Sequence, residues 1–135
     1  MSYKIEDIEG IGPASAKKLA KAAITTTDHL LNKCSTPAGR KSVAEASGVG
    51  ESTILNWTNM ADLMRISGVG PQFSELLKGT GVDTIKELRN RNAENLAEAM
   101  ETVNNEKKLA RVSPPAATVA KWVAAAKTMD PKITY

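Results

Sequence analysis

Shifting residues 8–32 (IEGIGPASAKKLAKAAITTTDHLLN) by 58 positions lays them on residues 66–90 (ISGVGPQFSELLKGTGVDTIKELRN). Ile8 then meets Ile66, Gly10 meets Gly68, Gly12 meets Gly70 and Pro13 meets Pro71. Further along, Leu19 pairs with Leu77, Thr26 with Thr84, Leu30 with Leu88 and Asn32 with Asn90. An internal repeat constrains architecture more tightly than local propensity, because each copy must satisfy the same packing. Trp57 matches Trp122 at an offset of 65, so the second copy holds about seven extra residues, expected around ETVNNEKK. The chain therefore divides into two homologous halves, 1–60 and 61–130, followed by a tail, 131–135.

Both halves read as helical. Ala, Leu, Lys and Glu dominate, and apolar residues recur at three- and four-residue spacing instead of alternating. Pro13 and Pro71 suit first helical turns, with those helices expected to reach Ala23 and Lys78, and Gly79 with Gly81 supplies a stop. Thr84 with Glu87 forms a capping box, and Thr25 with Asp28 a looser one. Ser35 or Thr36, before Pro37, opens a helix carrying Val43 and Ala46. ESTILNWTNMADLMRI contains no breaker and is expected to be one helix joining the halves into a packed rod or double lobe.

Composition excludes several classes. No apolar run approaches the roughly 20 residues of a membrane span, and the acidic start MSYKIEDIEG lacks a signal-peptide core. A single cysteine, Cys34, rules out an internal disulfide, which fits a reducing cytoplasm, and His29 alone offers too few ligands for a metal site. Glu6, Asp7 and Glu9 do not have the spacing of a metal nuclease, and GVGP lacks the Gly-Lys-Ser that completes a nucleotide-binding loop. No catalytic residue and no cofactor is expected, and an enzyme is the least supported class. The net charge of +3 permits a nucleic-acid partner without requiring one, so any electrostatic footprint must be local.

Gly-apolar-Gly recurs three times between helical stretches: Gly10-Ile11-Gly12, Gly48-Val49-Gly50 and Gly68-Val69-Gly70. Such a turn admits positive φ, buries the middle side chain and leaves backbone N–H groups pointing outward at a helix start, which is the physics of a helix-hairpin-helix motif. A fourth, degenerate copy is expected at Arg111-Val112-Ser113-Pro114-Pro115, with Val112 as its buried apolar residue. Ile11, Val49 and Val69 should be buried at the other three turns. The tryptophans are expected in equivalent cores, with stacking on bases as the alternative.

GIGPASAKKLAKAAITTTDHL resembles the helix-hairpin-helix repeats of DNA-repair and recombination proteins, including the recombinase N-terminal domain. Over about residues 4–135, the order of GIGPASAKKL, TPAGRKSVAEASGV, ILNWTNMADLMRISGVGPQFSELL, KELRNRNAENL and VAKWVAAAK is similar to an uncharacterised, mainly bacterial family of tandem helix-hairpin-helix proteins, a domain of unknown function. The resemblance implies an all-α fold of two tandem hairpin pairs, as SAM-like helical lobes with four hairpins, the last degenerate. By analogy it implies sequence-independent DNA binding, in which turn amides hold phosphate and nearby lysines add charge. Carried onto this chain, that role falls on Gly10, Ile11, Gly12, Lys17, Lys18 and Lys21, and on Gly68, Val69, Gly70 and Lys78. Glu51 spoils the second turn, whereas Lys107, Lys108 and Arg111 lend the fourth a diffuse attraction. The bland counterpart is that the turns only reverse the chain and the lysines form a solvated helix face. A protein-interaction or scaffold module without DNA binding is the rival function, and an accessory subunit beside a separate enzyme a third.

Overall fold

A computed structural model describes residues 3–135. The described chain is all-helical. It contains eight α-helices and no strand, with one isolated bridge between Lys4 and Thr26. It divides into two compact units, Met1–Asp62 with Lys132–Tyr135, and Leu63–Pro131.

Unit 1 begins with a 3-10 turn, Ile5–Asp7, and continues through α1 (Pro13–Ala20), α2 (Thr27–Cys34), α3 (Pro37–Ser47) and α4 (Glu51–Leu63). The turn and α3 pack on α1, and α2 packs on α3. Ile5, Ile8, Leu19, Ile24, Leu30 and Ile54 are fully enclosed. Each such side chain removed from water contributes about 2 kcal/mol against the entropy of ordering the chain.

Unit 2 contains α5 (Pro71–Gly79), α6 (Ile85–Leu88), α7 (Ala93–Lys107) and α8 (Ala116–Thr128). Here α7 packs on α8 and α5, and α6 packs on α8. Ile66, Leu76, Leu77, Leu88, Leu96, Met100 and Trp122 belong to one buried cluster. Arg89 donates to the carbonyls of Ala126 and Met129 at the end of α8, where backbone acceptors have no helical partner.

The repeat is visible bond by bond. Ile11 N–H donates to Ile8 O and Val69 N–H to Ile66 O, while Ile24 N–H donates to Leu19 O and Val82 N–H to Leu77 O. Gly10 and Gly68 take φ of +94° and +93°. Gly12 and Gly70 are extended N-caps at φ −87° and −94°, so the left-handed residue is the first glycine of each turn and not the second. The first glycine also faces a tryptophan. A Cβ on Gly10 would lie 3.8 Å from Trp57 Nε1, and one on Gly68 only 3.3 Å from Trp122 Nε1. Both tryptophans are buried, and Phe73 lies against Trp122 with ring centroids 5.2 Å apart.

Several local expectations shift. α1 ends at Ala20, short of Ala23, because Ala23 adopts a left-handed φ of +61°. The repeat partner of Ala23 is Gly81, at φ +97°. The cap of α2 is Thr26, which accepts from His29 N–H, one residue beyond Thr25 and in register with Thr84, which accepts from Glu87 N–H. α4 stops at Leu63, three residues before Ile66, where a turn returns Ile66 N–H to Leu63 O. Val112 is 67% exposed, and Pro114 is buried instead. The offset of 65 that relates the tryptophans also carries Val49 onto Pro114.

The second copy gains residues in two places and loses two before α7, where Asn90 to Asn92 spans two fewer positions than Asn32 to Thr36, for the net seven. α7 has 15 residues against 11 in α3. α3 ends on Gly48 and α7 on Lys108, both left-handed, but Gly48 is followed directly by Val49 and Gly50 whereas Lys108 is followed by an added loop, residues 109–113. That loop returns onto α5: Arg111 N–H donates to Gln72 Oε1, and Leu109 Cδ1 lies 3.1 Å from where a Cβ of Gly79 would sit.

Candidate nucleic-acid interface

The first N–H groups of any helix have no partner within it, so an external acceptor or a capping side chain must serve them. The chain treats its helix starts in two ways. Thr26, Thr36, Thr84 and Asn92 accept from the third residue of α2, α3, α6 and α7 respectively. The starts of α1, α5 and α8 carry no such cap, because Gly12, Gly70 and Pro115 have no hydrogen-bonding side chain to offer. Pro13 and Pro71 each remove one donor, which leaves the amides of Gly12, Ala14 and Ser15 at one turn and Gly70, Gln72 and Phe73 at the other. Ala14 and Ser15 were not singled out from sequence, although the N1 proline already marked them as first-turn donors.

At the first turn Ile11 is buried and anchors the loop, while Gly10 and Gly12 are exposed. Lys17, Lys18 and Lys21 are all exposed. Lys17 and Lys21, four residues apart, share one face, Lys17 with Lys18 in the last turn of α1 and Lys21 at its C-cap, so they stand one short helix away from the glycine turn. They also complement the negative end of α1, a structural role that needs no ligand.

The third turn has the same backbone and a different surface. Val69 is buried, Gly68 is exposed and Gly70 half-buried. Residues 17, 18 and 21 are matched by Glu75, Leu76 and Gly79. Leu76 is fully buried, and Gly79 faces Leu109 and Val103. Lys78 is half-buried and stands without the cluster seen on α1.

The second turn uses its amide internally. Ser47 Oγ accepts from Val49 N–H at 3.2 Å and donates to Val43 O, Val49 is half-buried, and Glu51 stands exposed in the first turn of α4. At the fourth, Lys107, Lys108 and Arg111 are exposed. Asn104, beneath them, accepts from Ala110 N–H and donates to Ser113 Oγ.

The remaining titratable groups sit elsewhere. Burial pushes the Cys34 thiol up to about 11, against the lowering pull of a Thr58 hydrogen bond and of Arg40 and Lys33. His29 Nδ1 lies 3.2 Å from Thr25 N. Among the described residues, no three His, Cys, Asp or Glu side chains gather as metal ligands, and no helix is long and apolar enough to cross a membrane.

The pattern of turns, caps and paired tryptophans runs through a single family model, which matches residues 9–129 and describes a domain of unknown function, DUF4332. The chain belongs to that family. No curated protein and no solved structure matches it. The DUF4332 match spans both copies of the repeat and ends at Met129, before the Lys132–Tyr135 segment that joins unit 1.

Proposed function

We propose that this DUF4332 protein is a non-enzymatic helix-hairpin-helix protein that binds the phosphate backbone of DNA, or of structured nucleic acid, without sequence preference. The first glycine turn is its principal contact. What supports the reading is an uncapped start of α1 on the same short helix as exposed Lys17 and Lys18, in its last turn, and Lys21, at its C-cap. Backbone amides at a helix N-terminus suit an anion, and ammonium groups nearby add attraction that carries no base information. The turn at Gly68, Val69 and Gly70, with Lys78, is a weaker second contact.

Fluorescence anisotropy with duplex, single-stranded and branched DNA at two salt concentrations tests this. With about four phosphates neutralised, log K should fall with log salt at a slope of roughly −3.6, and affinity at physiological salt should be on the order of 1–100 μM. Charge reversal at Lys17, Lys18 and Lys21 together should weaken binding to every sequence alike and flatten the slope by about one to three units. Glu51→Lys should tighten binding if the second turn also faces the duplex. A folded parent with no salt-dependent binding to any nucleic acid overturns the proposal and leaves the protein-interaction reading in its place.

A further inference from the structure

Arg40 is an anomaly in unit 1. It is the fourth residue of α3, whose Thr36 cap accepts from Gly39 N–H; the fourth residue of α7, whose Asn92 cap accepts from Asn95 N–H, is Leu96, fully buried. The fold thus accepts an aliphatic side chain there, yet Arg40 is 5% exposed. A buried guanidinium is costly unless its donors are met. Nη1 donates to Cys34 O at 3.0 Å within the helical core, and Nη2 donates to Thr134 O at 2.8 Å, on a segment that follows the last helix.

That segment, Lys132–Tyr135, has no regular structure and belongs to unit 1. Thr134 N–H donates to Ser35 O at 2.7 Å, and Thr134 Oγ1 to the same oxygen at 3.3 Å. With Arg40 on its carbonyl, Thr134 has both backbone groups paired, the N–H to the backbone of Ser35 and the carbonyl to the Arg40 side chain. Tyr135 places its ring 5.9 Å from Arg40 Cζ and its hydroxyl 3.3 Å from Asn59 Oδ1, although the side chain stays 68% exposed. Backbone pairing supplies affinity in such arrangements, and the flanking hydroxyl and aromatic ring supply selectivity.

We propose that Ser35, Arg40 and Asn59 form a peptide-binding cradle on unit 1 whose ligand is a Thr-Tyr segment, filled in cis by the chain's own residues 132–135. A short tether gives an effective concentration on the order of 10 mM, so an intrinsic Kd of about 1 mM keeps the cradle about nine-tenths occupied. A second peptide of the same sequence therefore competes only when added at several millimolar. This site is separate from the glycine turns and does not depend on nucleic-acid binding.

The experiment is amide exchange at Thr134 in the intact 135-residue chain, read by NMR. In the parent this amide should exchange at least tenfold more slowly than a free one. Acetylated and amidated Pro-Lys-Ile-Thr-Tyr at about 10 mM should accelerate that exchange roughly five- to tenfold by displacing the segment, and a scrambled peptide should not. Arg40→Leu, which copies Leu96, should keep the helical circular dichroism spectrum and lose both the protection and the peptide response. Tyr135→Ala, at an exposed position that cannot compromise the core, should lose protection severalfold. Unchanged Thr134 exchange in Arg40→Leu or Tyr135→Ala overturns the assignment of the cradle. An exchange rate insensitive to the peptide overturns its being a site for ligand in trans.

Discussion

α1 and α5 begin from the same Gly-apolar-Gly-Pro turn, and they differ in what covers their next two turns. On α1 the positions of Lys17, Lys18 and Lys21 are open to water; on α5 the same positions hold Glu75, Leu76 and Gly79, with the longer α7 and the added loop against them. The cationic surface is thus lost where one helix is four residues longer and a short loop is added, and of the three positions Leu76 is buried, Glu75 half-buried and Gly79 exposed. Backbone identity and surface identity are separable. The turn's geometry is held by Ile11 or Val69 below and a tryptophan behind, and neither depends on what the helix shows to solvent.

The turn backbones give the sharpest way to test the comparison. Gly68→Ala should destabilise by about 3 kcal/mol, because positive φ is combined with a 3.3 Å approach to a tryptophan already fixed by Phe73. Gly10→Ala should cost about 1–2 kcal/mol, since its tryptophan stands back at 3.8 Å. Gly12→Ala should cost less than about 1 kcal/mol, as φ is ordinary and nothing lies within 4 Å. Urea unfolding of the three variants checks the order; equal losses would mean that the two turns are not supported differently.

Cys34 provides a handle on unit 1 alone, because unit 2 has no cysteine. A thiol pushed from 9.0 to about 11 favours the folded state fully below pH 9, and this contribution fades as pH rises toward 11. The parent should therefore lose about 2 kcal/mol relative to Cys34→Ala between pH 9 and pH 11. Parallel pH–stability curves for the two proteins would contradict the burial.

The smallest effect concerns a position where the copies have traded residues. Ala23 and Gly81 share a left-handed backbone, and only glycine occupies it without strain. Ala23→Gly should stabilise by up to about 1 kcal/mol, the relief of strain being partly offset by the freedom glycine adds to the unfolded chain. Gly81→Ala should destabilise by about 1 kcal/mol. Shifts of one sign in both variants would break the equivalence.

Much of this was legible in the chain itself. The offset of 58 located two of the glycine turns, and the N1 prolines located the helices after them. It also contained two answers that local motif reading missed. Thr26 rather than Thr25 aligns with Thr84, and Ala23 aligns with Gly81, which marks Ala23 as the end of a helix and not its interior. The buried residue of the fourth turn was missed because Val112 matches in chemistry, whereas the tryptophan offset points to Pro114. Two features had no local signal. Nothing near Arg40 marks it as buried until a segment 94 positions away supplies its acceptor, and nothing near Lys78 shows that the loop after α7 folds against α5. Both depend on contacts between residues far apart in sequence.

The two tryptophans have an optical consequence. They are the chain's only indoles, one in each unit, and each presents its ring nitrogen to the glycine that opens a turn. Single-indole proteins, Trp57→Phe or Trp122→Phe, would carry an intrinsic fluorophore beside one turn only. Emission wavelength and quencher access would then report the two turns separately, with no label attached to the surface where a ligand arrives.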